Sequence, residues 1–457
     1  MASPPPIYFW LGLVFLLGFV FLTPPFQVAD EHVHFLRAYH LTTGTLKATK
    51  LDDTQVGAPL PRSIRLAIED LLIPVMHKPE AKVQSEVIFD HLGRPLSPGD
   101  KIFQNFHNTA LYPPPAYLPQ MAAIGLGRIF GLSALAQFYL ARLAAMAVSW
   151  WLTYLAIRKI PAGKWTLLAV ALMPMTLFQT ASSSADALIM AYSLFFLAVV
   201  IHLATKPVEL SLRGLGLLFL LTVCVSLGKT AYLPLPLLLL MVPANRFPPL
   251  HNPRLALTAV MITAILLPFL WTLWVRDIYI QGRRDPTRDI HPDRQLTWVL
   301  EHPIEFFGVL GETIQTQFGF YRDSLIGYLG WLDTPLPKWS VFTYILALIL
   351  AVILDRERRA PAFPHGVYWI LASVLGSNCL LIFLMLYLSW TDVGGPLIEG
   401  IQGRYFIPLL PLFLLLFSTL PTVCPPRWRP TLALLFLTLV MVVYLSSWFA
   451  VLNRYYG

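Results

Sequence analysis

Long runs of apolar residues almost free of charge recur along this chain, and such a run has lipid as its natural solvent. A helix crossing a hydrocarbon core of about 30 Å needs about 20 residues. Runs that reach or approach this length are Ile7–Leu22, Leu135–Ile157, Trp165–Phe178, Ala185–Ala204, Gly214–Leu227, Ala231–Val242, Leu255–Val275, Trp339–Leu354, Gly366–Trp390, Tyr405–Leu420 and Thr431–Val451. They predict an all-α polytopic integral membrane protein with about eleven transmembrane helices. The runs near Trp165 and Ala231 are short, so they either borrow flanking polar residues or are partly re-entrant. No Lys or Arg precedes Ile7, and Pro24-Pro25 gives no small-residue cleavage site, so the first run reads as a retained helix rather than a signal peptide.

Composition agrees: 56% of the 457 residues are hydrophobic and 13% charged, against about a quarter charged in soluble domains. Cys224, Cys379 and Cys424 sit in or beside separate apolar runs without metal-site spacing, and read as structural. The formal charge of +8 comes without a basic patch interleaved with aromatics, which argues against nucleic acid as a partner.

Positive charge in short loops marks the cytoplasmic side. With the N-terminus inside, Arg158, Lys159, Lys164, Lys206, Arg213, Arg246, Arg254, Arg356, Arg358, Arg359, Arg427 and Arg429 all fall in cytoplasmic connections, while the opposite short turns carry Lys229 and Arg404. The expected location is the inner (plasma) membrane, with two large non-cytoplasmic loops, 24–134 and 276–338, on a single membrane domain. Both loops are too apolar for disordered linkers. Tyr117–Phe130 and Gln295–Phe318 read as interfacial helices, and the two loops together as a folded lid. No internal repeat of the kind built into many transporters is evident.

Behind the first helix, PPFQVADEHVHFLRAYHL carries Asp30, His34 and Arg37 at i, i+4, i+7, on one helical face, with Glu31 about 100° away. Asp30 can act as a proton acceptor for a hydroxyl nucleophile, or it can cap the helix and pair with Arg37. His32 and His34, two apart on a helix, point to different sides and cannot chelate one ion together. A second group gathers at helix ends on the same side: Ser182, Ser183, Ser184 and Asp186, then Lys229, then Glu399, Gln402 and Arg404. Lys229 and Arg404 suit an anionic headgroup; snorkelling, or pairing with Asp186 and Glu399, is the alternative. The charges of Arg276–Arg294 nearly balance and read as a self-paired surface. No Gly-rich phosphate loop, GxSxG or HExxH is visible.

Four stretches, PPFQVADEHVHFLRAYHL, YPPPAYLPQ with LMPMTLFQTASSSADAL, GYLGWLDTPLP and IEGIQGRYFIPLLPLF, together resemble the bacterial predicted membrane proteins of the DUF twenty-one forty-two family. The family usually places a second Pro close before its Asp-Glu pair, where Gln27-Val28-Ala29 stands here. The resemblance implies a GT-C type glycosyltransferase fold, similar to protein O-mannosyltransferases and lipid A aminoarabinose transferases. Such enzymes take a sugar from a polyprenyl-phosphate carrier and use a carboxylate in the first outer loop. Carried onto this sequence, the carboxylate is Asp30, with Glu31 beside it. His34, Arg37, Asp186 and Asp333 would support the acceptor and the site, and Lys229, Arg404 and Gln402 would hold the donor phosphate. The acceptor is then a glycan or lipid of the cell envelope, reached among membrane lipids, and inversion at the sugar is expected. Metal involvement varies among such enzymes, so no cofactor is demanded and a divalent metal stays open. The alternative is a transporter or flippase for a lipid-linked or anionic solute; a non-catalytic scaffold is a third reading.

Overall fold

The computed structural model describes residues 3–243, 246, 253–280, 288–356, 365–417 and 425–457. Cys424, Arg283, Arg284, Asp285, Arg358 and Arg359 lie outside them. Among the described residues, seven helices are long and apolar enough to cross a membrane: Pro4–Leu22, Ala134–Lys159, Ala185–Thr205, Leu255–Ile278, Lys338–Asp355, Gly366–Trp390 and Arg429–Tyr455. The chain is an all-helical polytopic membrane protein with about seven candidate spans among the described residues; the other four of the eleven apolar runs do not form helices of that length there.

The other four runs are apolar but short or broken, and proline accounts for three of them. Pro174 lacks the N–H that would continue the preceding helix, so the Trp165 run forms two short helices, Lys164–Ala171 and Pro174–Thr180. Pro234 and Pro236 confine the Ala231 run to tight 3-10 turns over Leu235–Met241. At the Tyr405 run, Pro408 and Pro411 separate a 3-10 turn at Gly403–Phe406 from the helix Leu410–Leu416. The fourth, Leu212–Ser226, is a regular helix of 15 residues.

Burial identifies the centre of the bundle. Ala185–Thr205 has 72% of its most apolar window buried, against 17% for Leu255–Ile278 at the edge. The first and last spanning helices lie side by side, with the Phe15 ring stacked on Tyr444.

The loop 24–134 is a folded layer on one end of the bundle. The stretch Tyr117–Phe130 forms a helix over Leu118–Ile129, with Leu126, Ile129 and Phe130 exposed. The loop also holds an antiparallel sheet that apolar periodicity does not reveal: β1 (Thr49–Asp52), β2 (Gln55–Pro61) and β3 (Lys101–Asn105), in that order. Gly57 makes the central pairing possible, since a Cβ there would lie 1.8 Å from the Gln104 carbonyl oxygen. In the loop 276–338, helices Pro292–Glu301 and Pro303–Gly327 expose Leu300, Ile304, Phe307, Ile314 and Phe318 at helical spacing.

Candidate functional site

Two carboxylates adjacent in sequence enter different surroundings. Asp30 precedes the helix Glu31–Leu41 with φ of +63°, in the left-handed region that Asp tolerates better than most residues. Its side chain makes no cap, and its partner is not Arg37. Both features of the capping alternative are therefore corrected. Asp30 instead accepts a hydrogen bond from Arg404 Nη2 at 3.2 Å and keeps 38% of its side chain exposed.

Glu31 is fully buried against Arg142. Arg142 Nε and Nη2 donate to the two carboxylate oxygens at 2.7 and 2.6 Å. Its remaining N–H groups donate to the carbonyls of Val20, Thr23 and Pro24 at 3.0, 2.8 and 3.0 Å. All five guanidinium donors are thus used. Ser183 N–H donates to Glu31 Oε1 at 2.9 Å, which ties the serine turn into the same clamp. Glu31 holds together the end of the first helix, the serine turn and the helix Ala134–Lys159; it has no open edge for a reactant. Arg142 was absent from the sequence-derived candidates. Its signal is a lone cation inside the run Leu135–Ile157, which lipid tolerates only when the charge is partnered.

His34 and Arg37 position tyrosines. His34 Nδ1 lies 2.7 Å from the Tyr117 hydroxyl. Arg37 Nε and Nη2 donate to the Tyr112 carbonyl at 3.2 and 2.8 Å, and Nη1 lies 3.0 Å from His40 Nδ1. Burial lowers the His34 pKa to about 4, against the opposing pull of Asp186 and Asp30, so the imidazole is neutral near pH 7. Burial pushes the Tyr112 phenol up to about 12, so it is protonated there too.

The second sequence group meets the first here. Asp186, in the first turn of Ala185–Thr205, forms an ion pair with Lys229. Lys229 Nζ and Arg404 Cζ lie 5.1 and 5.6 Å from the centroid of one ring, Tyr405, so a single aromatic ring serves both cations. The Tyr405 carbonyl accepts from the Tyr232 hydroxyl at 2.9 Å. Gly403 lets this turn press onto the helix Pro303–Gly327, because a Cβ there would lie 2.1 Å from Leu325 N. Arg404 Nε and Gln402 Oε1 are buried without a hydrogen-bond partner. The Arg404–Asp30 hydrogen bond and the Ala185 N–H, 3.5 Å from His34 Nδ1, join the two sequence clusters into one site. Tyr112, Tyr117 and Tyr405 belong to it; they lay within the quoted motifs without being singled out.

The chain matches the family described as predicted membrane protein (DUF2142) over residues 13–413. It belongs to that family. No curated protein and no solved structure matches. The region matched in this DUF2142 protein takes in every member of the charge cluster.

Two expectations shift. Asp333 does not bring a free carboxylate: Arg454 donates to its Oδ2 at 2.7 and 3.2 Å, and Trp331 N–H to its Oδ1 at 3.0 Å. It acts at one remove, since Trp331 Nε1 in turn donates to the Phe26 carbonyl at 3.1 Å, on the turn that leads to Asp30. Glu399 is bonded not to Lys229 or Arg404 but to Arg288, at 2.8 Å, and Arg288 also holds Asp392. The basic loop is therefore tied to the turn before Gln402 rather than paired only with itself. Among the described residues no group of three or more His, Cys, Asp or Glu side chains could hold a metal ion.

Proposed function

We propose that this protein is a GT-C type glycosyltransferase of the inner membrane, moving a sugar from a polyprenyl-phosphate carrier to a glycan or lipid acceptor of the cell envelope. The observation that carries the reading is the half-exposed Asp30 carboxylate bonded to Arg404, which shares the Tyr405 ring with a second cation, Lys229. A displacement at an anomeric carbon needs a group to take the acceptor's proton and positive charge to receive the leaving phosphate; Asp30 can supply the first and the cations the second.

The steps balance without another reactant. The acceptor oxygen bonds to the anomeric carbon as its proton passes to Asp30, and the sugar–phosphate bond breaks with its electrons on the phosphate, inverting the sugar. Arg404 Nε offers a donor, and Gln402 Oε1 an acceptor, unused by the protein. The charge bias of the short loops supports an N-terminus in the cytoplasm and this site on the opposite face, where a lipid-linked donor removes the need for a nucleotide-binding motif.

The test is transfer from a polyprenyl-phosphate sugar to a glycan acceptor by detergent-purified protein, alongside Asp30→Asn. Asparagine keeps the shape and tolerates the left-handed backbone, so thermal stability should hold. Turnover should fall by about 10²- to 10⁴-fold, the usual cost of losing a general base. Near-normal turnover in the variant would remove Asp30 from the chemistry. Donor moved across vesicle membranes without transfer would favour the flippase instead.

A further inference from the structure

A second cavity lies away from the charge cluster, where the first loop meets the outside of the bundle. Its volume is about 530 Å³, within the range of about 300–1,000 Å³ that small-ligand pockets occupy. Phe21 of the first spanning helix and Ala136, Tyr139 and Leu140 of Ala134–Lys159 form its walls. Phe89, on the short helix Ser85–Gly93, roofs it, and Tyr456 closes one end. No ionisable carboxylate, lysine, arginine or histidine lines it.

The walls tell what fills it. Both wall helices are membrane spans, and Phe21 is 57% exposed. Below the cavity the wall continues along one side of Ala134–Lys159. Ala136, Leu140, Leu143, Ala147 and Trp151 follow at intervals of four, three, four and four residues, a single helical stripe. Ala147 and Trp151 are exposed. The cavity is thus the upper end of an open apolar track on a lipid-facing surface, and not a closed core defect. The roof is fixed to the bundle. Val83 N–H donates to the Tyr455 carbonyl at 2.9 Å and Lys82 Nζ donates to the Asn453 carbonyl at 2.7 Å, while His91 ties the roof to Asp70 of the loop helix Arg62–Leu71 at 2.9 Å. An anchored roof keeps the groove from collapsing when it is empty.

We infer that this groove binds one acyl chain of a membrane phospholipid, held lengthwise along the Ala136–Trp151 stripe with its head-group end under the helix Ser85–Gly93. A long flexible hydrocarbon suits a groove lined by apolar side chains and open to lipid at one end. Tyr139, which lines the groove, also meets the clamp: the Arg142 guanidinium lies 5.8 Å from its ring centroid.

The experiment uses the full chain in vesicles of phosphatidylethanolamine and phosphatidylglycerol doped with a phosphatidylcholine that carries a photoactivatable diazirine in one acyl chain. After irradiation, labelled peptides are mapped. Labelling should concentrate on residues 85–92 and 132–143, several-fold above the lipid-facing surface around Phe449, which is 70% exposed. Ala136→Trp, which fills the groove, should abolish the excess and leave the Phe449 region unchanged. Leu140→Phe serves the same purpose if the tryptophan variant does not fold. Equal labelling of the groove and the Phe449 region, an excess that survives both substitutions, or a dimer that either substitution dissociates would each overturn the inference; the last would make a second copy of the chain the occupant.

Discussion

Asp30 and Glu31 are neighbours in sequence and opposites in structure. The Glu31–Arg142 pair is sealed, with no exposure on either side chain and every guanidinium donor engaged. The Asp30–Arg404 pair is held by a hydrogen bond of 3.2 Å, with the carboxylate partly open and Arg404 Nε unpartnered. The same ion-pair chemistry builds in one case and leaves capacity for a ligand in the other. Saturation of the hydrogen bonds distinguishes them. A fully satisfied buried pair has nothing left to offer a substrate, whereas removing one partner strands a charge in a dry interior.

The contrast can be broken most forcefully at the sealed pair. Arg142→Ala or Glu31→Gln should cost about 3–5 kcal/mol of stability, read as a fall in thermal midpoint or loss of monodisperse protein in detergent. The sequence offset of Glu31 suggests the milder effect for Glu31→Gln, but the clamp makes it a folding variant. A stable, active Glu31→Gln protein would erase the distinction drawn here.

The open pair responds differently. Arg404→Ala and Lys229→Ala should weaken use of a phosphate-linked donor by about 1.5–3 kcal/mol each, the usual range for a charge-assisted contact. Lysine at position 404 should restore only part, since it lacks the planar fork. Donor titrations on folded variants measure this; unchanged donor affinity in both would move the phosphate elsewhere.

Acid should sharpen the comparison at His34. Its folded pKa of about 4 lies below the unfolded value of about 6.5, so on acidification the unfolded chain takes up a proton first. Stability contributed by neutral His34 is therefore present above about pH 6.5 and is lost as the pH falls towards 4. Thermal midpoints recorded across that window should decline, and His34→Gln should flatten the decline; equal slopes in both proteins would assign it to other groups. The smallest effect is expected from Arg288→Ala, whose half-buried contacts to Asp392 and Glu399 steady the turn before Gln402. Its effect on transfer should stay below that of Arg404→Ala.

Much of this was legible from local pattern. Apolar runs located all seven spans, and helical spacing turned Glu31 away from Asp30. Scarcity of charge on one side picked out Lys229 and Arg404. What stayed hidden depends on long-range partners. Nothing local says that Asp30 chooses Arg404, 374 residues away, over Arg37 seven residues on. The β1–β3 sheet has no alternating pattern strong enough to announce it, because its first strand is exposed throughout. Prolines inside apolar runs were visible, yet their effect on helix count depends on how neighbouring segments fill the break.

The contacts of Arg454 bear on how the chain is made. Its guanidinium holds the Ala81 and Val75 carbonyls, 373 and 379 residues earlier in the chain, together with Asp333. Closing a contact over such a separation is entropically slow and waits for both ends. During synthesis at about 5–20 residues per second, the stretch around Val75 emerges tens of seconds before Arg454 can reach it. Throughout that interval this end of the first loop lacks one of its anchors, and the Val75 carbonyl waits for the donor that holds it in the finished protein.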